Sequence, residues 1–307
     1  MSAFIALPII LALSTAVIGV LLRQRRGWQS GVSIAGAALQ VLAAIALLVL
    51  VAREGIQVTH TGGWPAPVAI SLVADLLAAL MVLLAAITGL ATVVYSRWSL
   101  PRSERSAAFH PLVHFLLTGV IGAFLTADLF NLYVCFEVML LASFALLVLE
   151  GKAEQTEGTV KYVVLNLLSS AIFLSALGLL YAKTGTVNMA LVASITQEQI
   201  GEGDGLGPLR LASLLFFVAF AVKAGLFPFF FWLPASYHTP SVPVSALFAG
   251  LLTKVGVYAL IRLETLVIPR DVFGHELLLW LGVATMLTGV FGAASQMGIR
   301  RILSFHI

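Results

Sequence analysis

The chain has little charge. Only 10% of its 307 residues are Asp, Glu, Lys or Arg, whereas a soluble domain keeps roughly 25%. Such a chain cannot cover a water-facing surface, so lipid is its solvent. A mean hydropathy of +1.05 and a hydrophobic share of 60% agree. Cysteine is nearly absent: Cys135 stands alone, which excludes an internal disulfide and a cysteine metal site. Glycine-rich phosphate loops, nucleophile elbows, and zinc or flavin signatures are all missing. No cofactor, no metal and no enzyme chemistry is expected. Positive charge is not concentrated either. The net charge is +3 despite a pI near 9.2, and no basic run exceeds Arg23-Gln24-Arg25-Arg26. Clusters that short orient membrane helices, so nucleic acid is not an expected partner.

What the sequence does have is a series of apolar runs. Those long enough for the roughly 30 Å hydrocarbon layer fall at 3–22, 31–52, 68–96, 109–127, 129–149, 160–182, 209–232, 244–266 and 276–296. The expected fold is an all-α membrane protein of about nine transmembrane helices plus the start of a tenth, with a broken seventh helix. The first run lacks a basic segment before it and a cleavage site after it, and reads as a retained helix rather than a signal peptide. Residues 56–65 alternate and then turn, which suits a short surface hairpin. Loop 183–208 is polar and glycine-containing, with a surface helix expected at 187–200. Residues 302–307 begin another apolar stretch after a polar turn, as if a tenth span were cut off. A fragment of a longer protein is the expectation.

Arg23, Arg25, Arg26, Arg97, Arg102, Arg105, Lys152, Arg300 and Arg301 fall in alternate loops. The positive-inside rule makes those loops cytoplasmic and puts the N-terminus outside. The other loops carry only Arg53, Lys183, Arg210 and Arg270.

Three ionisable residues sit deep in these spans. At 1.5 Å per residue, Glu137, Lys223 and Lys254 lie ~12–18 Å from the surface. One charge there costs at least ~2.5–3.5 kcal/mol on insertion scales, and such residues normally mark ion or proton pathways. The bland alternative is a structural pair, Glu137 with one lysine, but a buried pair is weak support for stability. It also leaves one lysine without a carboxylate, and the proton affinity of that lysine would depend on its neighbours' charge. Pro228, five residues after Lys223, removes a helix hydrogen bond beside this charge, and broken helices beside midplane charges are a transporter feature. Pro234, Pro240 and Pro243 read equally well as kinks next to a short loop.

Weaker candidates follow. Asp75 is near the start of the third span and either interfacial or buried. Asp128 reads as a helix cap. Asn166, Ser169 and Ser170 share a face that suits water or helix packing. Lys161 either snorkels or feeds proton uptake. His110 and His114, four apart with no third ligand in reach, read as a surface pair rather than a metal site. His238, in the proline-rich break, suits proton exchange with the bulk.

Asp128-Leu129-Phe130-Asn131-Leu132-Tyr133-Val134-Cys135-Phe136-Glu137-Val138-Met139-Leu140 resembles the fifth-helix motif of the antiporter-like subunits shared by respiratory complex I and Mrp-type sodium/proton antiporters. Residues 220–228, Phe-Ala-Val-Lys-Ala-Gly-Leu-Phe-Pro, resemble the broken seventh helix of that family, and 251–258, Leu-Leu-Thr-Lys-Val-Gly-Val-Tyr, its eighth. Residues 62–67, 233–237 and 301–307 are similar to the Mrp D-type branch. Complex I members usually have Asp and His where Ala235 and Tyr237 stand. The resemblance covers nearly the whole chain. It implies that Glu137 pairs with Lys223 and modulates its proton affinity, that Lys254 is the central relay, and that a second, inverted repeat follows. It implies a three-helix N-terminal segment (1–108), a first repeat forming the proton-conducting core (109–275) and the start of a second repeat (276–307). It also implies H⁺ and Na⁺ as transported ions, other membrane subunits as partners and a prokaryotic cell membrane. The competing readings are a proton-pumping subunit of a quinone- or hydrogen-linked redox complex, a structural membrane subunit, and a stand-alone solute carrier.

Overall fold

The computed structural model describes residues 3–100, 107–202, 206–267 and 275–307. The sequence expectations on Arg102, Arg105 and Arg270 lie outside the described residues. The long helices are α1 (Ala3–Leu21), α2 (Arg26–Glu54), α3 (Leu76–Ser99), α4 (Phe109–Leu125), α5 (Leu129–Leu147), α6 (Ala153–Thr184), α8 (Leu206–Ala224), α10 (Val242–Arg262) and α11 (His275–Ala294). Shorter ones are α7 (Met189–Glu202), α9 (Trp232–Ser236) and α12 (Ile299–Phe305). Among the described residues, eight segments are long and apolar enough to cross a bilayer, and α4 is a shorter apolar helix of 17 residues. The protein is a multi-pass, all-α membrane protein.

Lipid offers no hydrophobic drive between helices, so close packing of small residues holds such a bundle together. The buried stripe of α3 is Ala78, Ala79, Val82, Ala85, Ala86 and Gly89. On α4, a Cβ at Gly119 would lie 2.6 Å from the Cys135 carbonyl and 2.7 Å from the Met139 nitrogen. Only glycine lets α4 and α5 approach this closely.

The hairpin is larger than its sequence pattern suggests. Strand β1 (Gln57–His60) pairs antiparallel with β2 (Ser71–Ala74), so that Gln57 faces Ala74 and His60 faces Ser71. The span expected at 68–96 therefore starts at Leu76. Its apolar beginning is a strand whose backbone is satisfied by β1, after which Asp75 caps α3 by accepting from the Ala78 nitrogen at 2.8 Å. Further hydrogen bonds stitch β2 to its neighbours. The Ala127 nitrogen donates to the Ser71 carbonyl, and the Met189 nitrogen to the Ala127 carbonyl, both at 2.9 Å. Asn188 Nδ2 donates to Ser71 Oγ at 3.1 Å. One face of the bundle is thus a bonded cap. Chain direction puts Arg23, Arg25, Arg26, Lys152, Arg300 and Arg301 on the opposite face.

Helix α6 extends well beyond the expected 160–182. Its first turns are polar (Glu154, Gln155, Glu157) and so lie below any hydropathy threshold, and it ends at Gly185 in the left-handed region, the usual helix stop. The surface helix expected at 187–200 is α7.

Candidate functional site

Lys223 is the most enclosed charge of the three, with 3% of its surface exposed. It sits in the last turn of α8, where the helix dipole favours a cation. The helix stops at Ala224, short of the expected 232. Gly225 turns with φ +70°, and a 3-10 turn at Phe229–Phe231 follows Pro228 before α9 begins. The freed backbone groups find other partners, as they must in lipid. The Val222 carbonyl accepts from Trp232 Nε1 at 3.0 Å, and the Ala221 carbonyl from the Leu226 nitrogen at 3.0 Å. The Phe227 nitrogen donates to Thr285 Oγ1 of α11 at 2.9 Å. The break is therefore a built feature held by two other helices.

Around the lysine, three helices converge. Lys223 Nζ donates to Ser170 Oγ on α6 at 3.2 Å. Ser170 Oγ in turn donates to Glu137 Oε1 on α5 at 2.5 Å. Carboxylate and amine are thus joined by one hydroxyl, an arrangement in which a hydroxyl both donates and accepts. The lysine also stands over the Phe136 ring, 4.8 Å from its centre, and Phe136, Phe173, Phe216 and Phe220 pack as a contiguous aromatic group. In the sequence Ser170 is one polar residue among several on its face; the structure makes it the connector. Ser169 instead ties α6 to α8, donating to the Ala219 carbonyl at 2.8 Å, and Asn166 back-bonds to Tyr162 within α6.

Lys254 is half-buried on α10. Its amine donates to the Ala249 carbonyl at 2.6 Å and to Thr253 Oγ1 at 3.3 Å. Among the described residues it has no direct bond to Lys223 or Glu137. The helices do meet beside it, because a Cβ at Gly256 would lie 2.5 Å from the Ala224 nitrogen and 2.7 Å from the Lys223 carbonyl carbon. Lys254, two residues from Gly256, is thus at nearly the depth of Lys223, about 3 Å apart along the axis.

The buried face of α6 continues as Gln155, Thr159, Tyr162, Asn166, Ser169 and Ser170. Tyr162 Oη lies 2.9 Å from Ser143 Oγ. On the arginine-rich face a cavity of about 470 Å³ is lined by Glu154, Glu157, Lys161, His238, Thr239 and Arg301, among others, and Gln155, at the start of the polar stripe, donates from Nε2 to the carbonyl of the lining residue Thr239 at 3.3 Å. Lys161 pairs with Glu157 at 2.6 Å and is exposed. His238 Nδ1 lies 2.7 Å from the Pro234 carbonyl. Burial makes His238 harder to protonate than an ordinary imidazole; the Pro234 carbonyl opposes this and the nearby arginines reinforce it.

One expectation needs correction. His110 and His114 are not a surface pair: His114 is 2% exposed. His110 Nδ1 and His114 Nε2 lie 3.0 and 2.9 Å from one Ser33 Oγ. The small, polar face of α2 (Gln29, Ser33, Gly36, Ala37, Gln40) admits α4 closely enough to bury them. Asp75, at the start of the third span, has a bidentate partner, Arg262, whose Nη1 and Nη2 both donate at 2.6 Å. Sequence reasoning passes over Arg262 because it sits at the end of a span, where snorkelling is the default. Asp128 caps α5 as expected, accepting from the Asn131 nitrogen at 2.7 Å; burial raises its proton affinity.

Residues 126–306 match the family described as NADH:quinone oxidoreductase/Mrp antiporter, TM. The chain belongs to that family. The match starts at the turn before α5 and takes in Glu137, Ser170, Lys223 and Lys254. Over its whole length the chain is 43% identical to the D-type subunit of the Na(+)/H(+) antiporter of Alkalihalophilus pseudofirmus, of which it spans 62%. Among solved structures it is similar to a chain of the Mrp complex from Dietzia sp. DQ12-45-1b, with TM-score 0.87 and 30% identity, covering 100% of this chain and 57% of that one. It is similar also to a chain of the membrane-bound sulfane sulfur reductase, an archaeal respiratory membrane complex, with TM-score 0.88 and 28% identity, covering 98% and 61%.

The hydroxyl bridge makes a specific prediction for this family member. Ser170→Ala leaves two partly satisfied charges in a buried site, and bonds to charged groups contribute about 1.5–3 kcal/mol, so the unfolding temperature of the purified protein falls. Ser170→Thr keeps the hydroxyl and most of that stability. Thermal unfolding of the two variants reads the difference.

Proposed function

We propose that the chain is the proton-translocating membrane part of one subunit of a multisubunit Na⁺/H⁺ antiporter, working with other membrane subunits in a prokaryotic cell membrane. The observation that carries this reading is the Glu137–Ser170–Lys223 chain at a helix break inside the bundle. A carboxylate and an amine joined by a hydroxyl sense each other's protonation. When Glu137 is charged the lysine holds its proton more tightly, and when Glu137 is protonated the lysine releases it more easily. Protons reach the pair from the cavity at His238 and Lys161 along the polar stripe of α6, and pass on to Lys254 at similar depth through ordered water. The arginine-rich face is then cytoplasmic, with the hairpin face and the N-terminus outside.

Glu137→Gln keeps size and one hydrogen-bond acceptor while removing the charge that tunes Lys223. In the complete complex it abolishes proton-coupled Na⁺ efflux from vesicles while assembly remains measurable. Efflux at the parent rate would sink the relay.

Similarity to the archaeal respiratory complex supports a second reading, the same relay driven by a redox partner. The two separate in purified vesicles without any electron donor, where only the antiporter exchanges Na⁺ for H⁺.

A further inference from the structure

The relay does not use the charge pair on the hairpin face. Asp75 follows β2, caps α3, and holds both Nη atoms of Arg262. The third donor of the guanidinium, Nε, donates to Tyr258 Oη at 2.9 Å, and the guanidinium stands over that ring, 4.9 Å from its centre. Tyr258 Oη then donates to the Phe124 carbonyl at 2.6 Å. The group is enclosed: side-chain exposure is 16% for Arg262 and 24% for Asp75, and Tyr258 is 4% exposed.

Lys254, Tyr258 and Arg262 recur every four residues, so they form one stripe of α10 that starts at the relay lysine. Arg262 lies about 12 Å from Lys254 along the axis, towards the hairpin face. Its counterion is fixed by the cap, because β2 is bonded to the turn at 126–128, which in turn bonds the start of α7. An arginine stays charged at any working pH. A fixed positive charge repels protons and cations, as the electrostatic barriers of selective pores do.

We propose that Asp75 and Arg262 form a seal between Lys254 and the hairpin face, barring protons and monovalent cations from leaking between the relay and the water on that face. Asp75 positions the charge, Arg262 supplies it, and Tyr258 closes the gap to α4. An exchanger needs such a barrier, since a relay open to both sides dissipates the gradient that drives it. The proposal rests on the relay reading above, but its test does not depend on antiport.

The test is passive proton leak, with the complete complex in proteoliposomes under an imposed pH gradient and without Na⁺. Arg262→Gln should raise the leak several-fold, and Arg262→Lys, which keeps a positive charge, should raise it much less. Adding Lys254→Met to Arg262→Gln should return the leak to the parent level, because the leak runs through Lys254. An unchanged leak in assembled Arg262→Gln overturns the seal. So does a leak that survives Lys254→Met, which would mean general loosening of the bundle. Where Arg262→Gln fails to assemble, Asp75→Asn frees the guanidinium and carries the same pair of measurements. If neither variant assembles, the pair is a structural tie and the proposal fails. A flat leak beside lost antiport in Glu137→Gln sinks the seal alone, whereas normal antiport in Glu137→Gln sinks the relay instead.

Discussion

On the proposed relay, Lys223→Met in the complete complex removes proton-coupled Na⁺ transport, by about 100-fold or more if the lysine transfers protons as an acid–base group does. Methionine fits the space between the Phe136 ring and Ser170, so packing survives and the complex assembles. The Ser170–Glu137 bond persists, but nothing remains at the end of α8 to receive a proton. Lys223→Arg is the sharper companion. Arginine keeps the positive charge at the helix terminus but does not release its proton within the working range, so it too is inactive. A purely electrostatic or structural lysine would tolerate that change. Ion flux in vesicles, set against the amount of assembled complex, separates these cases; transport in Lys223→Arg at the parent rate would overturn the role given to this residue.

The second large effect is expected at a residue with no side chain. Gly256→Val forces Cβ into the space beside the Ala224 nitrogen and the Lys223 carbonyl carbon, 2.5 and 2.7 Å away. The obstacle is backbone rather than the end of a flexible side chain, so α8 and α10 must separate. Overpacking a core costs typically about 1–3 kcal/mol, and here the displaced segment is the turn that carries Lys223. Thermal stability is lost, and Gly256→Ala shows the same sign at smaller size. Unfolding temperature and yield of the purified complex measure it, and a Gly256→Val complex of parent stability would show that the two helices do not approach as described.

Much of this is legible in the chain before any folding is considered. The helices announce themselves by apolar length, since lipid requires each spanning segment to satisfy its own backbone. Pro228 and Gly225 mark the break for the same local reason. Glu137, Lys223 and Lys254 stand out because charge is expensive at that depth. Three other features are not legible. Residues 71–74 are as apolar as the helix that follows, and only pairing with β1 makes them a strand. His110 and His114 look like a surface pair until Ser33, nearly 80 positions away in sequence, is brought between them. Arg262 looks like a snorkelling end residue until Asp75, 187 positions away, closes on it.

Residence in lipid, the approximate course of the segments that cross it, and the charges too deep to be incidental could all be read from the order of residues alone, because each follows from a local cost of transfer. The partner of each charge could not: a hydroxyl between Glu137 and Lys223, a backbone carbonyl beside Lys254, a guanidinium on Asp75. Hydrogen bonds act over about 3 Å, and which groups come that close depends on how helices distant in sequence pack.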